Sequence, residues 1–160
     1  MFMLMENYYT LDNIDQKILM LLQKDAKMTI KEVAIELNLS TTPIFERIKK
    51  LEERNFIKGY HAEINRHLIG LGLMVFCNVS LKEHQSNFLK KFELEVQSID
   101  EIMACYHLGG NYDYLLTVCV KNIDAYHDFI ANKLANISNI ANVQSSFVMK
   151  EIKETKQYYF

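Results

Sequence analysis

The sequence predicts an α+β protein made of an N-terminal helix-turn-helix domain and a C-terminal ferredoxin-like domain of the order βαββαβ. Three observations predict this fold. Apolar residues recur at helical spacing in about the first 64 residues, strand-like and helical runs alternate from about residue 73, and the pattern changes between them. We therefore expect a leader at 1–10, a first domain at 11–64, a linker at 65–72 and a second domain at 73–160.

Length, composition and charge narrow the class of protein. The chain has 160 residues, of which 49% are hydrophobic and 24% are charged, as in ordinary folded proteins. Its net charge is −2, so a nucleic-acid partner would need a local basic cluster rather than bulk charge. No apolar run approaches the ~20 residues that cross a bilayer, and no cationic segment precedes the short apolar start. We expect a cytoplasmic protein without a membrane partner.

The sequence gives no support for catalysis. A nucleophile elbow, a phosphate-binding loop, a zinc-protease motif and a dinucleotide fingerprint are all missing from it. Its five histidines have no metal-ligand spacing, and its three cysteines, Cys77, Cys105 and Cys119, lie in apolar stretches that favour reduced, buried thiols. We expect a protein that is not an enzyme and that holds no metal or cofactor.

Three helices are predicted in the first domain. The first begins near Asp12–Asp15, where carboxylates stabilise exposed amide donors, and the second follows Thr29, which forms a capping-box pattern with Glu32. Ser40 can cap the third, which tolerates Pro43 in its first turn. The inward-facing residues that define these helices are Ile14, Ile18, Leu21, Leu22, Ile30, Val33, Ala34, Leu37, Ile44, Ile48 and Leu51.

The connections between these helices indicate a helix-turn-helix. Asn38-Leu39-Ser40 makes a tight turn between the second and third helices. Asn55 follows the third helix and accepts the left-handed conformation that often ends a helix. Residues 56–64 alternate loosely between apolar and polar and predict a short strand or wing. The alternative is a three-helix core without a ligand.

The third helix carries the candidate DNA-contacting residues. Side chains near the start of a recognition helix face base edges, while hydroxyls and cations contact bases or phosphates. Arg47 suits a guanine edge or a phosphate, although an ion pair with a nearby acid is equally open to it. A solvated basic face is the alternative. The candidates are Ser40, Thr41, Thr42, Phe45, Glu46, Arg47, Lys49, Lys50 and Lys58. A single copy of the chain holds few charges that can contact phosphates, so specific binding needs at least a dimer that places two such helices in successive major grooves.

The second domain is predicted to contain four strands and two helices. Apolar residues of both parities in Leu115–Val120 indicate a strand buried on both faces, and hence a dimer that closes one sheet over another. The predicted elements are a strand at Leu73–Leu81, a helix with Phe88, Leu89, Phe92 and Val96, strands at Ile102–Leu108 and Tyr112–Val120, a helix with Tyr126, Phe129, Ile130 and Leu134, and a strand at Val143–Ile152.

The turn between the second and third strands is a candidate site for a small molecule. Gly109 and Gly110 expose backbone amides that can hold a carboxylate, and Asp113 can meet an ammonium group. Together these groups suit the two ends of an amino acid. An ordinary hairpin turn is the alternative, because Gly109-Gly110-Asn111 consists of residues that accept positive φ.

Several segments together resemble the leucine-responsive regulatory protein/AsnC family of feast/famine transcription regulators. Leu11–Leu19 (LDNIDQKIL) is similar to the family's opening LDxxDxxIL, and Gly110–Leu116 is similar to its GxYDYLL turn and strand. The remaining matches are Leu39–Pro43 with Arg47–Glu52 (recognition helix), Phe56–Tyr60 (the segment after it) and Val148–Lys153 (closing strand). No single motif is specific to the family, but the occurrence of all of them in the expected order, from Leu11 to about Lys156, is.

The resemblance implies a winged helix-turn-helix, a βαββαβ ligand-sensing domain, homodimers that assemble into octamers or similar rings, and an amino acid bound between dimers. The effector site that it implies is bordered by Gly109, Gly110, Asn111, Tyr112, Asp113, Ser145 and Ser146. Asn55 stands where the family usually has glycine, and residues 1–10 have no counterpart. The expected function is a transcription regulator that binds double-stranded DNA under the control of an amino acid. The alternative is a low-specificity architectural DNA-bridging protein or a metabolite-binding oligomer.

Overall fold

A computed structural model describes residues 9–160, which form two compact units. Among the described residues, the helix-turn-helix unit comprises residues 9–63 together with Lys153–Phe160, and the sheet unit comprises Ile64–Ile152. Most of the predicted leader, residues 1–8, lies outside the described part of the chain.

The last eight residues belong with the first unit, whereas the sequence placed them in the second domain. The reason is a pair of hydrogen bonds between the Gln23 side chain and the Tyr158 backbone. The Tyr158 amide donates to Gln23 Oε1 at 2.7 Å, and Gln23 Nε2 donates to the Tyr158 carbonyl at 3.1 Å. A side-chain amide thus pairs with a peptide group as a neighbouring strand would.

The helix-turn-helix unit contains α1 (Asn13–Lys24), α2 (Ile30–Glu36) and α3 (Thr41–Glu53). Capping boxes begin α1, with Asp12 and Asp15, and α2, with Thr29 and Glu32. The second box was predicted and the first was not. Ser40 occupies the N-cap position of α3 with extended backbone, but its hydroxyl makes no capping hydrogen bond.

Two asparagines end helices in the left-handed conformation. Asn38 has a φ of 52° after α2 and Asn55 a φ of 59° after α3. In each case the amide of the next residue donates a hydrogen bond back to the helix. The Leu39 amide donates to the Ala34 carbonyl at 2.9 Å, and the Phe56 amide donates to the Leu51 carbonyl at 2.9 Å. The predicted tight turn and helix end are confirmed. The core between the helices is formed by Ile18, Leu19, Leu22, Val33, Ala34, Ile44 and Leu51.

Residues 56–64 form no strand, so the prediction of a short strand there was wrong. No described segment of this unit pairs with them, and side chains hold them in place instead. The Tyr60 hydroxyl donates to Glu52 Oε1 at 2.8 Å, and the Phe56 ring packs edge-on against Tyr9 with centroids 5.8 Å apart. An alternating pattern without a strand partner does not produce a sheet.

The sheet unit confirms the βαββαβ order. Its elements are β1 (Leu73–Leu81), α4 (Ser86–Gln97), β2 (Ile102–His107), β3 (Tyr114–Val120), α5 (Ile123–Asn132), a 3₁₀ turn (Leu134–Asn136) and β4 (Ile140–Phe147). The strands lie in the order β2-β3-β1-β4 with every neighbouring pair antiparallel. β4 begins three residues before the predicted start, Val143, and ends five residues before the predicted end, Ile152. Its bounds differ because Ile140–Phe147 is the stretch that pairs with β1.

The two faces of this sheet differ. One face carries Val75, Cys77 and Val79, which are fully buried in a core shared with Phe92 of α4 and Phe129 of α5. The alternation of side chains and the strand register place uncharged residues on the other face, which we call the open face. Its members are Met74, Phe76, Asn78, Ser80, Ala104, Tyr106, Leu115, Thr117, Cys119, Asn142, Gln144 and Ser146.

The cysteines follow this arrangement in part. Cys77 and Cys119 are buried, as predicted, whereas Cys105 is exposed because it lies on the edge strand β2. All three are free thiols. Within residues 9–160 no helix combines the length and the apolar character that crossing a bilayer requires.

Candidate DNA-binding and effector sites

The exposed surface of α3 holds most of the predicted DNA-contacting residues. Ile44 and Leu51 are fully buried, and the side chains that point away from them lie at spacings of three and four along the helix. We call these the outer face of α3: Thr41, Thr42, Phe45, Glu46 and Lys49, all exposed. Phe45 lies at the centre of this face with 47% of its surface exposed.

Arg47 is the predicted site residue that the structure places elsewhere. Its Nη1 donates to Asp15 Oδ1 at 2.6 Å and to Asp12 Oδ2 at 2.7 Å. Asp15 is fully buried, and these bonds, the one to Asp15 first, raise the pKa of the Arg47 guanidinium. Of the two roles open to Arg47, the structure shows the intramolecular ion pair, which fastens α3 to the start of α1.

Tyr9 completes this network and was missed by sequence reasoning. Its hydroxyl donates to Asp15 Oδ2 at 2.6 Å, and that bond raises the pKa of the hydroxyl. The Lys50 ammonium lies 4.2 Å from the centre of the Tyr9 ring, and the Arg54 guanidinium carbon lies 5.0 Å from it. A single aromatic residue before a helix has no periodicity that could have revealed these contacts.

The remaining cations of the predicted site are exposed. Lys49 lies 3.9 Å from Glu53, one turn further along α3, in a pair too exposed to hold it firmly. Lys58 lies in the segment after α3 and is exposed as well. Ser40 stands at the start of α3 with its hydroxyl unused by the cap. Among the predicted DNA-contacting residues, the exposed groups therefore include threonine and serine hydroxyls, one aromatic ring and lysines.

The candidate effector turn is anchored by Asp113. Its Oδ2 accepts from the Leu81 amide at 2.7 Å and its Oδ1 lies 3.0 Å from His84 Nε2. Its own amide donates to the Val79 carbonyl at 2.9 Å. The carboxylate thus ties the turn to the end of β1, and His84 is a neighbour that no sequence motif indicated.

The rest of the turn is open to solvent. Gly109, Gly110 and Asn111 are exposed, while Tyr112 is half-buried and its hydroxyl donates to Gln144 Oε1 on β4. Neither glycine has a left-handed φ, which differs from the expected reason for their presence. Both glycines lie at the surface of the unit.

Ser145 and Ser146 lie on opposite faces of the sheet. Ser145 is paired with Cys77, and its hydroxyl lies 2.5 Å from that of Tyr126 on the helix-covered side. Burial raises the pKa of both Tyr126 and Cys77. Ser146 is paired with Phe76 on the open face. One surface site cannot include both hydroxyls, because neighbouring strand residues point apart.

Both units of the chain match known protein families. Residues 11–58 match a family described as a winged helix-turn-helix that binds DNA, and residues 74–158 match the Lrp/AsnC ligand-binding domain. The chain belongs to the Lrp/AsnC family. Its fold and its two matched domains are those of Lrp/AsnC transcription regulators, so it belongs to a family of regulators and not of enzymes.

Individual Lrp/AsnC proteins are similar over nearly the whole chain. The transcriptional regulator of the Bkd operon from Pseudomonas aeruginosa is 34% identical over 89% of this chain and 93% of its own. The leucine-responsive regulatory protein of Escherichia coli K12 is 33% identical over 92% of this chain and 90% of its own. A Neisseria meningitidis transcriptional regulator solved with L-methionine superposes with a TM-score of 0.88 at 33% identity, covering 92% and 95% of the two chains.

Proposed function

We propose that this Lrp/AsnC-family regulator binds double-stranded DNA through the outer face of α3, together with Ser40, Lys50 and Lys58. The observation that carries the proposal is that this face is exposed while the opposite side of α3 is buried in the core. A helix held in this way can enter a major groove without unfolding the unit. Arg47 serves the interface by fixing α3 rather than by contacting a base. The protein acts in the cytoplasm.

We further propose that the chain works as a homodimer that assembles into octamers or similar rings. The open face supports this, because it carries no charged strand residue, and Phe76 and Tyr106 are 37% and 55% exposed in the single chain. Two such faces packed together would form a sandwich. The dimer presents two α3 helices, and the ring presents several, so the number engaged on DNA depends on assembly.

The effector in this proposal is an amino acid bound between dimers at the turn that follows β2. The amides of Gly109 and Gly110 would hold its carboxylate, with Asn111 and Tyr112 beside them. Both Asp113 oxygens already accept a contact, and each keeps a lone pair for an ammonium group. Ser146 lies on the open face, which the proposed dimer covers, whereas Ser145 acts from the helix-covered side through Tyr126. The methionine complex of the Neisseria regulator supports this class of ligand. A ligand that prefers one assembly shifts the population toward it.

The experiment that tests this function uses the full chain and duplex DNA selected from a random library. We expect discrete, roughly palindromic sites, with an affinity that falls steeply as salt rises because each phosphate contact releases a counterion. Uniform coating of all sequences would favour the architectural alternative. Absent or salt-insensitive binding would contradict DNA recognition altogether.

The effector is tested by thermal shift with each of the twenty amino acids, since a ligand that binds the folded state raises its melting temperature. We expect a subset of amino acids to stabilise the protein and to change its assembly in sedimentation. Asp113→Asn should lose that response, and Asp100→Asn, which changes an exposed carboxylate away from the turn, should keep it. An unchanged response in Asp113→Asn would remove Asp113 from the site.

A further inference from the structure

The only arginine of α3 is not available to read DNA. The commonest specific contact in a major groove is a bidentate bond from arginine to guanine. Arg47 is held by two carboxylates at 2.6 and 2.7 Å, and only 28% of its side chain is exposed. Turning it outward would leave the fully buried Asp15 without its countercharge, which is strongly unfavourable. The outer face of α3 must therefore obtain sequence specificity from other chemistry.

Phe45 is the large apolar side chain at the centre of that face. It is 47% exposed, with Thr41 and Thr42 one turn before it and Lys49 one turn after it. A single exposed apolar residue is ordinary on a protein surface. Here, however, it stands in the middle of a polar face on the third helix of a matched DNA-binding domain.

Only one base presents an apolar group in the major groove. Thymine carries a C5-methyl there, and phenylalanine is one of the side chains that contact it. The threonine hydroxyls one turn before Phe45 can both donate and accept, so they fit either a base edge or a phosphate. The lysine beyond them fits a phosphate as a flexible point charge.

We propose that Phe45 reads the C5-methyl of thymine, so that α3 recognises a thymine-containing half-site without an arginine–guanine contact. This inference rests on the proposed function, because it assumes that the outer face of α3 enters the groove. It adds the chemistry of the base that is read and the residue that reads it. Thr41 and Thr42 orient the helix against the neighbouring bases and backbone.

The test removes single methyl groups from the DNA. Duplexes selected with the wild-type full chain are resynthesised with deoxyuridine in place of each thymine in turn, which deletes only the C5-methyl. Burying one methyl is worth about fourfold in affinity, so symmetric replacement in two half-sites should weaken binding by about 10- to 20-fold. Binding is measured for wild type, Phe45→Ala and Met20→Ala, the last of which shortens an exposed apolar side chain on α1.

We expect one or two thymines in each half-site to be sensitive to this replacement in wild type and in Met20→Ala. In Phe45→Ala the affinity for the thymine duplex should fall by a similar factor, and the same replacement should then have no effect. Melting temperatures of the three proteins should agree, since Phe45 lies outside the core.

Two results would overturn the inference while leaving the proposed function intact. One is specific binding that deoxyuridine does not weaken at any position. The other is a thymine preference that Phe45→Ala retains. A failure to select any duplex would instead contradict the proposed function itself, and the inference with it.

Discussion

At the scale of single residues, the carboxylate of Asp15 holds the DNA-binding unit together. It accepts hydrogen bonds from Arg47, from the Tyr9 hydroxyl and from the Asp12 amide while fully buried. The bond from the Asp15 amide to Asp12, with further help from Arg47, lowers the pKa of the Asp12 carboxyl, so Asp12 stays charged near neutral pH. Three segments of the unit therefore meet at one ion-pair network.

Removing the arginine tests this role. Arg47→Ala should destabilise the unit by about 3 kcal/mol, because it leaves a buried carboxylate unpaired. Lys49→Ala, which removes an exposed cation from the same helix, should change stability by less than about 0.5 kcal/mol. Urea unfolding followed by circular dichroism measures both. If Arg47→Ala keeps wild-type stability yet loses DNA binding, Arg47 is a DNA contact after all.

The sequence could not decide between the two roles of Arg47, because its partners precede it by 32 and 35 residues and no periodicity links them. The same holds for Ser145 and Ser146. The family resemblance placed both near the effector, but the strand register, which the sequence does not show, turns one of them inward.

At the scale of elements, two N-cap residues of similar chemistry have different roles. Thr29 accepts from the Glu32 amide at 3.2 Å, whereas the Ser40 hydroxyl caps nothing. Thr29→Ala should therefore cost about 1 kcal/mol of stability, and Ser40→Ala should cost clearly less. Thermal unfolding of the two variants beside wild type checks this difference. Equal losses would show that Ser40 also caps α3 in solution.

Local chemistry made most elements predictable. The capping pattern at Thr29 and the two asparagines mark helix ends by short-range interactions alone, and β1 is an apolar run whose predicted bounds agree with the structure. The ends of β4 and the segment after α3 were predicted less well. A strand is defined by what it pairs with, and β4 pairs with residues of β1 that lie 59 to 72 positions earlier in the chain.

At the scale of the whole molecule, the open face of the sheet should govern association. Leu115 is half-buried there, between Asn78 of β1 and Tyr106 of β2. Leu115→Lys should weaken dimerisation by about a hundredfold, since it would bury an unpaired charge between two sheets. Leu94→Lys places the same charge on the exposed side of α4, and it should leave association unchanged. Sedimentation velocity separates these outcomes, and a dimeric Leu115→Lys would contradict the proposed interface.

The hydrogen bonds between Gln23 and Tyr158 have a practical consequence for anyone labelling the protein. A fluorophore or affinity handle attached next to Tyr158 lies beside α1, although the residues just before Lys153 belong to the sheet unit. We expect such a label to report on changes in the helix-turn-helix unit. A label intended to follow the sheet unit is better placed on the exposed surface of α4, for example at Leu94.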